Sequence, residues 1–179
     1  MKRYDAIEKI MENITNEIIV CNIGFPSREL YDIKDRRENF YMIGSMGLVS
    51  SIALGIAISQ SKNVVIIDGD GSFLMNLGSL VTIANLKPKN LTWILLDNGV
   101  YGSTGNQDTY AQNTNISELV KATGIKSYSF EDISLKEIIN KNELSFVNFK
   151  IEKGNNFNCK IIPLTPEDIK KRFMTFINE

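Results

Sequence analysis

Val64-Val65-Ile66-Ile67-Asp68-Gly69-Asp70-Gly71-Ser72 and, further on, Leu91-Thr92-Trp93-Ile94-Leu95-Leu96-Asp97-Asn98-Gly99-Val100-Tyr101-Gly102 decide the fold. Each is a short apolar run closed by a turn rich in glycine and oxygen ligands, the pattern of a buried strand that ends in a tight turn. Between them Phe73, Leu74, Leu77, Leu80, Val81 and Ile83 recur close to a helical period, and Pro88 forbids continuation. One helix is therefore predicted from Ser72 to about Leu86. A helix of about 15 residues rises roughly 22 Å, and a strand of about six residues returns roughly 20 Å. The two strands are then parallel, their carboxyl ends are level, and Asp70 lies beside Asn98.

That edge is where open α/β sheets bind ligands. Gly69 and Gly71 let backbone N–H groups and a helix start approach an anion. Mg²⁺ takes six oxygens, commonly shared between protein and phosphate; the Asp70 carboxylate, the Asn98 amide oxygen and the turn carbonyl at Val100 supply three. The set suits a magnesium diphosphate. A calcium loop counted from Asp68 fails, because its sixth position is Phe73 instead of Gly and its twelfth is Ser79 instead of Glu. The dinucleotide fingerprint is also missing, since no G-x-G-x-x-G opens a helix after a strand.

Working outward, the chain alternates helical and extended segments. Helices are predicted at Tyr4 to Ile14, with Ile7, Ile10, Met11 and Ile14 on one face, at Ser27 to Ile33, Ile116 to Thr123 and Ser134 to Asn140. Leu48 to Ile58 is apolar nearly all round and reads as a buried helix, too short to span a bilayer. Strands are predicted at Glu17 to Asn22, Phe40 to Ile43, Ser127 to Phe130 and Ser145 to Ile151. Thr165-Pro166-Glu167-Asp168 starts a terminal helix at about 166–177, with Thr as N-cap, Pro at the first position and acids in the first turn. The expected fold is α/β: one doubly wound, mainly parallel sheet with helices on both faces, filling residues 1–179 as a single domain.

Composition excludes several classes. A formal net charge of -1 leaves no excess of basic charge for a phosphate backbone, so nucleic acid is not expected as a partner. Cys21 and Cys159 lack CxxC spacing, and no signal peptide precedes the first helix, so cytoplasmic residence is expected. The chain has no histidine, which removes Ser-His-Asp and Cys-His nucleophiles and histidine metal sites from it.

Gly69-Asp70-Gly71-Ser72, followed by Asn98, resembles the thiamine diphosphate motif, which in that superfamily runs from GDG to a paired Asn-Asn; here Asp97 stands at the first position of the pair. Upstream, Tyr41-Met42-Ile43-Gly44-Ser45-Met46-Gly47 resembles the segment that cradles the aminopyrimidine ring. The resemblance implies thiamine diphosphate and Mg²⁺ as cofactors, with Asp70, Asn98 and Val100 on the metal, and Gly69, Gly71, Ser72, Tyr101 and Gly102 around the diphosphate. It further implies that Gly44 offers its carbonyl to the ring amino group, with Ser45 beside it, and that Met46 is the wedge that keeps the cofactor bent.

A narrower resemblance runs through Asn22-Ile23-Gly24-Phe25-Pro26-Ser27-Arg28-Glu29-Leu30-Tyr31, Asp35-Arg36, Ser103-Thr104-Gly105-Asn106-Gln107 and the tail from Glu152-Lys153-Gly154-Asn155 to Pro163-Leu164-Thr165-Pro166-Glu167. It is similar to the sulfopyruvate decarboxylase β-subunit family, with the phosphonopyruvate decarboxylases as close relatives. This implies decarboxylation of a small anionic 2-oxo acid, in the first case within coenzyme M biosynthesis. Such sites need a second domain that grips the pyrimidine ring and supplies an activating glutamate. With 179 residues there is room for one domain of ordinary size, so the resemblance implies an α subunit and a hetero-oligomer. Candidates for the substrate's second anionic group are Arg28, Ser103, Thr104, Asn106, Gln107 and Lys153, with Ser103 to Gln107 favoured because it follows the metal loop. Two other classes stay open: a catalytically silent scaffold subunit, and the β subunit of another thiamine diphosphate enzyme such as a 2-oxoacid oxidoreductase.

Overall fold

The computed structural model of the chain describes residues 1–131 and 134–179. The strands are β1 (Ile18–Cys21), β2 (Asn39–Tyr41), β3 (Val64–Gly69), β4 (Leu91–Asp97), β5 (Val100–Tyr101), β6 (Gln107–Asp108), β7 (Lys126–Ser129) and β8 (Ser145–Lys150). The helices are α1 (Arg3–Glu12), α2 (Phe25–Lys34), α3 (Val49–Ser59), α4 (Asp70–Met75), α5 (Leu77–Leu86), α6 (Ile116–Ala122), α7 (Leu135–Asn140) and α8 (Pro166–Ile177). Six strands form one sheet in the order β2-β1-β3-β4-β8-β7, and every pairing in it is parallel. The expected doubly wound fold is the observed one.

Strands covered on both sides read as continuous apolar runs, and the period of two sorts their residues between two cores. Val20, Val64, Ile66, Trp93, Leu95 and Phe146 face α3, α5 and α6. Ile19, Cys21, Val65, Ile67, Ile94 and Val147 face α1, α2 and α7. On the first side Phe73, Trp93 and Phe146 meet at 5.2–5.8 Å between ring centroids, within the range of favourable edge-to-face pairs. The terminal helix α8 packs across the β2 edge and gives Phe173 and Phe176 to one core and Ile169 to the other. Its predicted N-cap is formed, with Asp168 N–H donating to Thr165 Oγ1 at 3.1 Å. Two hydrogen bonds of 2.8 Å from Arg172 to Asp35 fasten it to the end of α2.

Two expectations need correction. The helix predicted over Ser72 to Leu86 starts at Asp70 and breaks at Asn76, which leaves helical geometry at φ -136°, ψ 53°. The periodicity of Leu77, Leu80 and Ile83 runs on through the break, so a tertiary contact of Asn76 overrides a pattern that sees only apolar spacing. The second correction concerns α3, which is not buried all round: Leu48 is 45% and Ile58 64% exposed. Only the face carrying Val49, Ala53, Ile56 and Ala57 meets the sheet, because a helix lying on a single sheet has its far side turned outward. The sequence reading also missed the antiparallel β5–β6 ribbon and the 3-10 turn Tyr110–Asn113 that follows it. No helix among the described residues is long and apolar enough to cross a membrane.

Candidate active site

β3 and β4 run in register from Val64 opposite Leu91 to Gly69 opposite Leu96. Asp70 and the Asp97-Asn98 turn therefore emerge together at the carboxyl edge of the sheet. One cavity there is lined by Met46, by Gly69 to Ser72, by Asn98 and by Val100 to Ser103, with Arg3, Asn22 and Phe25 on its other walls. Nine of the eleven predicted site residues meet in it. Gly44 and Ser45 do not; both are exposed and line a separate apolar groove with Phe40, Ile43, Ile52 and Ile169.

The local geometry explains why these residue types stand here. Asp70 opens α4, and Thr109 Oγ1 donates to one of its carboxylate oxygens, Oδ2. Thr109 is itself held by its N–H on the Gly99 carbonyl at 2.9 Å. Asn98 Oδ1 accepts from Val100 N–H at 3.0 Å, an Asx turn that points the 98–100 segment back along the edge. Val100 O accepts from Gly102 N–H at 3.1 Å. A carbonyl or amide oxygen has two acceptor sites and a carboxylate about four, so all three oxygens keep acceptor capacity after these bonds. One carboxylate, one amide oxygen and one carbonyl form a hard donor set that suits Mg²⁺. Among the described residues there is no group of three or more His, Cys, Asp or Glu side chains that could hold a metal.

Gly71 answers a steric demand. A Cβ added there would meet the Tyr101 ring, with Cδ1 at 2.9 Å, Cζ at 3.1 Å and Cε1 nearer still. The β5–β6 ribbon closes over this turn, and only a bare backbone passes beneath it.

Burial, with the neighbouring Asp97 charge behind it, holds the Asp70 carboxyl above the usual carboxylate range. Hydrogen bonds from Thr109 and from the Asn98 N–H pull it back down. Asp68, beneath the site, is fully buried and pushed up to about 7, although it accepts from Gly69 N–H at 2.8 Å and Trp93 Nε1 at 3.2 Å. A carboxylate that burial has pushed up gains from a cation placed against it.

Residues 23–149 match the family model described as thiamine pyrophosphate enzyme, C-terminal TPP binding domain. Sulfopyruvate decarboxylase subunit beta of Methanocaldococcus jannaschii is 48% identical, with 98% of this chain and 97% of that one aligned. The chain belongs to the sulfopyruvate decarboxylase β-subunit family of thiamine pyrophosphate enzymes. A relative named sulfopyruvate decarboxylase from Methanosarcina acetivorans is 46% identical, but 97% of this chain aligns to only 46% of that one. A phosphonopyruvate decarboxylase of Streptomyces viridochromogenes is more distant, at 34% identity over 98% of this chain and 46% of that one. Among solved structures, the thiamine diphosphate-dependent 4-hydroxybenzoylformate decarboxylase of Rhodococcus jostii superposes with a TM-score of 0.72 at 16% identity, over 87% of this chain and 33% of that one. This likeness shows the fold alone.

In this member of the β-subunit family the departure from Asn-Asn at Asp97 has a structural counterpart. Asp97 stands opposite Lys150 in the β4–β8 register, and Lys150 Nζ pairs with its carboxylate. The other carboxylate oxygen accepts from Gly99 N–H at 3.1 Å. Asp97 thus locks the turn that presents Asn98, with its charge matched by a neighbouring strand.

The substrate candidates scatter. Ser103 lines the cavity. Thr104 and Gln107 hydrogen-bond to each other in the exposed turn of the ribbon, and Asn106 carries the left-handed backbone of that turn at φ 59°. Lys153 pairs with Asp108 at 3.4 Å, and Arg28 stacks over Phe25, 5.0 Å from its centroid; neither lines the cavity.

Sequence reasoning missed the cation that does. Arg3 is 6% exposed. It donates from Nε and Nη2 to Glu29 at 2.8 and 3.0 Å and from Nη2 to Asn155 at 2.8 Å. Asn155 in turn donates to the Gly102 carbonyl at 2.6 Å. Its signal was its place on the Ile7–Ile10 face of the first helix, where a charge is out of keeping. Thr109 carried no local signal.

Proposed function

We propose that this chain carries the diphosphate-binding domain of a two-chain decarboxylase that uses Mg²⁺ and thiamine diphosphate to convert sulfopyruvate to sulfoacetaldehyde and CO₂. The observation that carries the proposal is the meeting of Asp70, Asn98 and Val100 at one sheet edge beside Gly71 and Met46. The 48% identity to a β subunit named for sulfopyruvate, over 97% of its length, against 34% to a phosphonopyruvate decarboxylase, supports the sulfonate substrate above the phosphonate, and with it a place in coenzyme M biosynthesis.

In this reading Asp70, Asn98 Oδ1 and the Val100 carbonyl hold the metal, and the N–H groups of Gly71 and Ser72 face the diphosphate, with Gly69, Tyr101 and Gly102 completing its surroundings. Thr109 fixes the Asp70 carboxylate, and the Asp97–Lys150 pair fixes the Asn98 turn. Met46 walls the cavity, and Gly44 and Ser45 present their backbone to the pyrimidine ring at the exposed edge. Thiamine diphosphate, when bound, supplies the electron sink for loss of CO₂ from a 2-oxo acid. The contribution of this chain is charge placement and fixed geometry.

The partner is an α subunit that carries the pyrimidine-binding domain and the activating glutamate. Two observations support it. The longer M. acetivorans relative has room for a second domain beyond the part this chain matches. Apolar side chains around the Gly44–Gly47 turn, Ile43, Leu48 and Met75, are exposed, as are Ile58 and Val81 further along α3 and α5, a surface suited to burial against another chain. The free thiols of Cys21 and Cys159 suit a reducing compartment, and we assign the enzyme to the cytoplasm.

The test is a substrate comparison on this chain combined with its α partner. Sulfopyruvate is expected to exceed phosphonopyruvate in kcat/KM. It is expected to exceed pyruvate by about 10³-fold or more, because pyruvate leaves the groups that receive the second anion unpaired. Preference for phosphonopyruvate would move the assignment to the sibling reaction.

A further inference from the structure

The break in the helix at Asn76 coincides with a contact to the turn that carries Met46. Asn76 occupies the N-cap position of α5, where an asparagine side chain ordinarily accepts from an N–H of the first helical turn. It makes no such bond. Its amide nitrogen instead donates to the Gly47 carbonyl at 2.9 Å. Four residues earlier, one helical turn away, Ser72 Oγ accepts from Gly47 N–H at 3.2 Å. Both backbone groups of Gly47 are thus held by the segment that begins at the Gly-Asp-Gly turn.

The turn needs holding. Ser45 and Gly47 both have left-handed backbones, at φ 61° and 89°, and the turn is closed internally by the bond from Leu48 N–H to Ser45 O at 3.1 Å. A left-handed non-glycine residue is costly and persists where its surroundings fix it. A Cβ on Gly47 would stand 3.4 Å from both Asn76 Cβ and Met75 Cγ, so the two segments are in close contact. Met46 sits between the two left-handed residues and lines the cavity.

We infer that Asn76 is a positioning residue: with Ser72 it clamps Gly47 and thereby sets Met46 at a fixed height over the Asp70–Gly71 turn. The catalytic consequence rests on the cofactor reading of that cavity; the clamp itself does not. The clamp also accounts for the helix break, which lets the Asn76 side chain reach the Gly47 carbonyl and, at 3.4 Å, Ser51 Oγ in the first turn of α3. It ties the two motifs of the site, otherwise far apart in sequence, into one unit.

The test uses Asn76→Asp, nearly the same shape but unable to donate to the Gly47 carbonyl. In the free full-length chain without cofactor, amide exchange at Gly47 and Leu48 is expected to accelerate about five- to tenfold, with the β3 and β4 amides unchanged. In the paired enzyme kcat is expected to fall about tenfold or more, with little change in KM for the 2-oxo acid. The losses from Asn76→Asp and Met46→Ala should combine to less than their product, because both act through one side chain. Unchanged exchange at Gly47 and Leu48 overturns the clamp. Accelerated exchange with unaltered kcat, or losses that multiply in full, overturns the positioning role. If the wild-type pair releases no CO₂ at all, the proposed function falls, while the exchange result still decides the clamp. Should Asn76→Asp unfold the chain, Asn76→Ser is read by the same measurements, since serine caps α5 well but is too short to reach Gly47.

Discussion

Replacing Asp70 by alanine is expected to abolish cofactor-dependent activity of the assembled enzyme, by about a thousandfold or more in kcat/KM, equivalent to ~4 kcal/mol of lost transition-state stabilisation. Asp70 supplies the only charge among the three oxygen donors that converge at the sheet edge, and one of its oxygens is already fixed by Thr109. What remains after truncation, an amide oxygen and a backbone carbonyl, is neutral and cannot hold Mg²⁺ against its hydration shell. The fold should survive. Asp70 is a buried carboxylate held above the usual range, so its removal relieves an unfavourable burial. Circular dichroism and the melting temperature are the controls. Thr109→Val, which frees the carboxylate without removing it, should cost about 10–100-fold, the range for an outer partner of a metal ligand. Full activity of Asp70→Ala at saturating Mg²⁺ and thiamine diphosphate would remove the metal assignment.

Gly71→Ala is expected to raise the concentration of thiamine diphosphate needed for half-maximal activity by about a hundredfold. This corresponds to the ~1–3 kcal/mol range for inserting a methyl group into a filled space. The Cβ would run into the Tyr101 ring, and relief requires either the ring to swing out or the start of α4 to move. Tyr101 is not free to drift, since it pairs with Gln107 in the β5–β6 ribbon, and Thr104 and Asn106 both donate backbone N–H groups to its carbonyl. Either movement displaces the N–H groups assigned to the diphosphate or the Val100 carbonyl assigned to the metal. Adding Tyr101→Ala in the Gly71→Ala background should recover part of the loss by vacating the space. A cofactor requirement unchanged in Gly71→Ala would show that the ribbon does not close on the diphosphate turn.

Much of this site is written in local sequence. The strand-turn-helix-strand order of Val64 to Asn98 follows from an apolar period, two glycines and one proline. The parallel register that levels Asp70 with Asn98 follows from two apolar runs of similar length joined by a helical crossover, although that crossover is broken at Asn76. The parts that escaped depend on contacts between distant segments. Asn76 breaks a helix whose apolar spacing continues, because its side chain is engaged by Gly47, 29 residues away. Arg3 belongs to the cavity only because α1 packs on α2, where Glu29 receives it. Thr109 reaches Asp70 through a ribbon that no hydrophobic pattern announces. The outward face of α3 was read as buried because hydrophobicity states that a surface avoids water and does not state which chain covers it. Gly44 and Ser45 line a separate groove, a placement that the order of the motifs along the chain does not reveal.

The divided site is tested most directly by an omission experiment: CO₂ release from sulfopyruvate by this chain, by the candidate α subunit and by the two combined, each with and without Mg²⁺ and thiamine diphosphate. Release only from the complete mixture is the predicted result. It would mean that the sheet edge at Asp70 and Asn98 works as one half of a site whose other half is on the partner. Equal release by this chain alone would contradict the divided site, and no release from the complete mixture would contradict the decarboxylase itself.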